Sequence, residues 1–122
     1  MYHAILINKQ FTDEDFPSTM KVFAEKIDGD WEIFGVEVKD SELEKFVIEV
    51  QNEMRPNETW YAHIYNDEEM IVIFKEKIIK VTPHISTWNP IFEYGKSIGI
   101  PEEQLDFWPN RFQDELHYFK DK

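Results

Sequence analysis

Residues 31–54 read WEIFGVEVKDSELEKFVIEVQNEM, and the apolar period changes within this stretch. From Trp31 to Val38 the side chains alternate, with Phe34, Val36 and Val38 on one face, which is the period of a strand. After Asp40 the repeat lengthens. Leu43, Phe46, Val47, Val50 and Met54 recur at three- and four-residue intervals and form one stripe of an amphipathic helix that ends before Pro56. Ser41 and Glu44 have capping-box spacing, with Asp40 as a competing N-cap.

Strand signals flank this helix on both sides. Met1 is followed by an apolar, β-branched run over 2–7. Residues 20–27 alternate imperfectly before Asp28-Gly29-Asp30, a strong hairpin signal. Downstream, residues 60–65, 70–74 and 78–82 read as three further strands joined by short polar turns at 66–69 and 75–77. Thr87-Trp88-Asn89-Pro90 opens a second helix, with Thr87 as its capping candidate. Ile91, Tyr94 and Ile98 form its stripe and Gly99 stops it. A short helix is expected over 100–105, and a last piece, capped by Asn110, carries Phe112, Leu116 and Phe119. These elements predict an α+β fold in a single domain over 1–122 with no linker. The expected architecture is a two-layer sandwich, with a mainly antiparallel sheet of five or six strands and two to four helices packed mostly on one face.

Composition narrows the function classes. Thirteen Lys and Arg face 25 Asp and Glu, a net charge of −12. The excess is local, because residues 13–69 hold 17 acids against 5 bases and the remainder is close to neutral. Such a surface does not neutralise phosphates, so nucleic acid is not an expected partner. The absence of cysteine excludes disulfides, thiolate nucleophiles, iron–sulfur clusters and cysteine-bound zinc. No apolar run is long enough to span a membrane. The apolar run at the start, Ala4 to Ile7, has no basic region before it and does not read as a signal peptide, so a cytoplasmic location is expected.

Few residues offer chemistry at neutral pH. His3, His63, His84 and His117 show no metal-binding interval, and no metal or other cofactor is expected. Neither a nucleophile elbow surrounds Ser18, Ser41 or Ser86, nor do the four glycines make a phosphate loop. The acidic runs 13–15 and 67–69 lack calcium-loop spacing, and the second reads as a solvated hairpin tip. The row Tyr61, His63, Tyr65 lies on one strand face. It fits a cleft for an aromatic or carbonyl ligand with His63 as base, but the pattern favours a solvated sheet face without function. The C-terminal stretch 88–122 gathers Trp88, Phe92, Tyr94, Phe107, Trp108, Phe112, Tyr118 and Phe119, which suit either a packed helical layer or an exposed docking surface.

Three functions follow from these features. The first is a non-enzymatic interaction module that contacts a protein partner or a second copy of itself through the C-terminal aromatics, among them Phe107 and Trp108. The second is a small-molecule binder or cofactor-independent enzyme with Tyr61, His63, Tyr65 and Trp88 lining a cleft. The third is an acidic nucleic-acid mimic built from the carboxylates of 13–69. The sequence favours the first, and assigns no catalytic residue.

Overall fold

A computed structural model describes residues 1–120. Six strands form one sheet: β1 (Tyr2–Ile7), β2 (Val22–Asp28), β3 (Trp31–Val38), β4 (Tyr61–Tyr65), β5 (Met70–Phe74) and β6 (Ile78–Val81). Their spatial order is β2-β3-β1-β4-β5-β6 and every neighbouring pair is antiparallel. Three α-helices accompany them: α1 (Leu43–Glu53), α2 (Asn89–Ser97) and α3 (Phe112–Lys120). The α+β class and the antiparallel sheet are as the sequence predicts. No helix among the described residues is long and apolar enough to cross a membrane.

Both faces of the sheet are covered. On one, Tyr2, Ala4, Leu6, Val36, Ile64 and Ile73 pack with Phe46, Val47 and Val50 of α1. On the other, Ile5, Ile33, Val72 and Phe74 pack with Ile91 of α2 and with Ile100, Leu105 and Phe107 of the segment beyond it. Phe112 and Phe119 of α3 lie against this second cluster. Two of the three helices therefore share a face, while α1 occupies the opposite side and adds a layer to the expected sandwich.

Local details depart from the sequence expectations in instructive ways. The α1 stripe is as read, but no side chain caps its N-terminus. A 3-10 turn over Asp40–Glu42 precedes the helix, and the Asp40 carboxylate is held by the N-terminal ammonium instead. Thr87 likewise does not cap α2. Its hydroxyl donates to His84 O at 2.7 Å and accepts from the Thr82 N–H at 3.2 Å, closing the loop before the helix. The hairpin turn does need its glycine, because Gly29 has φ of +62°.

A bulge between Val22 and Ala24 shifts the register of β2 against β3 and aims Phe23 at the second face. There the Phe23 ring lies 4.3 Å from that of His3 and 5.8 Å from that of Phe119. Gly35, opposite Ala24, makes room for this packing. A Cβ at residue 35 would sit 2.7 Å from the Phe23 ring and 2.9 Å from that of Phe119. Replacing Gly35 with Val is therefore expected to cost about 1–3 kcal/mol through overpacking. Urea unfolding measures the loss, and amide exchange should show α3 opening before the sheet.

Candidate functional site

Strand alternation places Tyr61, His63 and Tyr65 on the second face and Ala62 and Ile64 on the first. The row is not bare. The protein's own residues 100–119 lie across it. His63 donates from Nε2 to the Pro109 carbonyl at 2.7 Å, and Tyr61 donates from its hydroxyl to Gln104 O at 2.5 Å. Phe107 is fully buried between the two, with ring centroids 5.1 Å from Tyr61 and 5.8 Å from His63.

Tyr65 has a different partner. Its hydroxyl donates to the Glu115 carboxylate, which also accepts from Nδ1 of His3 at 2.7 Å. Glu115 is only 9% exposed, and on α3 it falls in line with Phe112 and Phe119. The stripe that faces the sheet is thus Phe112, Glu115 and Phe119, whereas Leu116, which the apolar pattern assigned to it, is 70% exposed. Two hydrogen-bond donors on the sheet require an acceptor at that point, and a leucine would leave both unmet. His3 stands opposite Tyr65 and His63 opposite Ile5 in the β1–β4 register. The two histidines therefore share a face of the sheet but bind separate groups.

Two polar anchors fix the ends of α3. Asp67, expected in a solvated tip, accepts the Phe112 N–H at 3.1 Å and caps the helix. Glu69 beside it accepts the Tyr2 hydroxyl at 2.8 Å and pairs with Lys80 at 3.3 Å. At the far end Lys26 donates to Tyr118 O at 3.1 Å and lies 4.3 Å above the Tyr118 ring. Trp88, read as a cleft residue, is a buried core residue whose Nε1 donates to Thr82 O at 2.8 Å and whose ring meets Phe107.

Where the cover stops, a cleft of about 600 Å³ remains between the ends of β1, β3 and β4 and residues 100–108. Tyr61 and His63 of the expected cleft set line it, whereas Tyr65 and Trp88 do not; Trp108, read as a docking residue, joins them with Trp31, Trp60 and Tyr118. Trp31 and Trp60 meet nearly edge to face, with centroids 5.7 Å apart. Trp31 and Trp108 are 40% and 44% exposed and stand at its opening. Strand pairing brings Trp31 here, a contact that no local sequence signal carries.

The electrostatics suit binding better than proton transfer. Burial drives the His63 pKa down to about 4, against the opposing pull of the Pro109 carbonyl. With Nε2–H committed to Pro109, Nδ1 of the neutral ring is left as an acceptor with no partner among the described residues, and His63 borders the cleft. Burial lifts the Tyr61 hydroxyl to about 12. Tyr65 is pushed well above its ordinary value, first by burial and then by its bond to Glu115. Among the described residues no cluster of three His, Cys, Asp or Glu is placed to hold a metal ion. The chain matches no family model, no curated protein and no solved structure.

Two outcomes test this arrangement. Tyr65→Phe removes a buried hydrogen bond to a charged group and should lose about 1.5–3 kcal/mol in urea unfolding. The second concerns pH. His63 titrates near 4 when folded and at its ordinary 6.5 when unfolded, so between these values only the unfolded chain takes up the proton. Its contribution is fully present above pH 6.5 and falls by about 3 kcal/mol as pH drops to 4. In His63→Gln, which keeps a donor for Pro109, this part of the acid sensitivity should vanish when unfolding is compared at neutral and acid pH.

Proposed function

We propose that the domain binds a small molecule in the aromatic cleft bounded by Trp31, Trp60, Tyr61, His63 and Trp108. The observation that carries this reading is the concave, largely aromatic opening left beside an otherwise sealed sheet face. His63 supplies a fixed acceptor and the rings supply area. A neutral imidazole of such low basicity abstracts protons poorly at neutral pH, which favours binding over catalysis.

The interaction-module reading retains one specific observation. Of the aromatics in 88–119, Trp108 is the one exposed large side chain, and Trp31 stands exposed across the same opening. A protein partner or a second copy would therefore dock at this cleft, not along the C-terminal segment, whose other rings are wholly or partly packed inside the chain. The nucleic-acid mimic has less support. The acids of 13–69 are dispersed over α1, the β2–β3 hairpin and the β4–β5 turn, and several already hold partners: Glu14 with Arg55, Glu37 with Lys21, Asp67 with the α3 backbone.

Titration of small aromatic and heterocyclic compounds, followed by tryptophan fluorescence, tests the proposal. A saturable change is expected, with affinity about tenfold weaker in Trp108→Ala, whose thermal unfolding should match wild type. If no compound binds, while light scattering shows a concentration-dependent dimer that Trp108→Ala abolishes, the cleft is a contact surface and the proposal fails.

A further inference from the structure

We infer that the ligand of this cleft is a small organic cation, an alkylated ammonium seated against the tryptophan and tyrosine rings with its charge toward Asp106; this inference rests on the small-molecule reading above.

The free polar groups argue for it. Among the buried and half-buried polar side chains of the lining, Gln10 and Tyr61 are committed. Gln10 accepts the Ile7 N–H at 3.0 Å and donates to Tyr61 O at 2.7 Å, while the Tyr61 hydroxyl holds Gln104 O. Nδ1 of His63, which only accepts, and the half-buried Tyr118 hydroxyl, which accepts or donates, have no hydrogen-bond partner among the described residues. Asp106 adds a carboxylate to the lining, and among the described residues no Lys or Arg belongs to it. An anionic ligand would meet an acceptor and a like charge.

The walls have the matching property. Ring faces carry negative quadrupole density, and indole attracts cations best. Three tryptophans and two tyrosines border this volume, with the Trp31 and Trp60 rings inclined at 63° to one another. The surroundings add to the effect. Trp60 Nε1 donates to the Glu58 carboxylate at 2.8 Å, and the charges of Asp28 and Asp106 both act on Tyr118. Among the described residues Lys26 already uses the attraction at this corner, with its ammonium above the Tyr118 ring and bonded to the carbonyl of the same residue.

The experiment is calorimetric titration of the full chain with benzyltrimethylammonium and with choline. Controls are the choline analogue carrying a neutral tert-butyl group in place of trimethylammonium, and indole as a neutral aromatic. The cations should bind at least about tenfold more tightly than the neutral analogue. Their affinity should fall about tenfold in Trp108→Ala and measurably in Asp106→Asn, and it should decline with added salt. Circular dichroism and thermal unfolding confirm that both variants are folded. Equal or tighter binding of the neutral compounds overturns the cation assignment and leaves the cleft as a binding site. Cation affinity unchanged in both variants also overturns it, because the ligand would then sit elsewhere. If neither cations nor neutral compounds bind, both this inference and the small-molecule reading fall.

Discussion

Strands β1, β4 and β5 carry large, water-avoiding side chains on both faces, and the rest of the architecture answers that constraint. All five residues of β5 are buried in succession, which an antiparallel sheet with one wet face does not allow. One side is closed by α1 directly after β3. The other has no cover until the sheet is complete, and everything beyond β6 serves to close it. The aromatic abundance of the C-terminal segment follows from this, because three strands of apolar surface must be capped by a run that contains only two helices. The cleft is where that cap stops short of the β3 and β4 ends.

The polar groups on the covered face set the position of the cap. A carboxylate placed in an apolar interior is costly unless its lone pairs are satisfied. Glu115 meets that condition only when α3 stands over both Tyr65 and His3. Asp67 and Lys26 then fix the two ends of the same helix. Apolar packing of Phe112 and Phe119 tolerates sliding, whereas four directional contacts from β1, β4, the β4–β5 turn and β2 do not. The His63–Pro109 and Tyr61–Gln104 bonds hold the preceding segment in the same manner, and so they define the wall on which Trp108 stands.

Much of the fold was legible in the chain because its elements follow the apolar period: the hairpin around Gly29, the α1 stripe and the alternation that sends Tyr61, His63 and Tyr65 to one side. Hydropathy failed where a polar residue belongs inside. Leu116 outranks Glu115 on any apolar scale, yet the sheet below presents donors, and only the tertiary arrangement reveals them. The capping roles of Asp40 and Thr87 failed for a related reason, since each side chain found a partner other than the helix it precedes. Half the cleft was legible too. Tyr61, His63 and Trp108 lie on elements singled out for their aromatics, whereas Trp31 and Trp60 arrive through strand pairing across the sheet.

The pairing of His3 with Glu115 spans 112 positions of the chain. Contacts so far apart are made at the expense of a long loop closure, and topologies dominated by them assemble slowly. The sheet and α1 depend only on residues up to 81, so their hydrogen bonds and one complete core can form while the second face is still bare. The cover of Tyr61, Tyr65, Phe74 and His63 therefore comes entirely from chain that lies beyond the strands it seals.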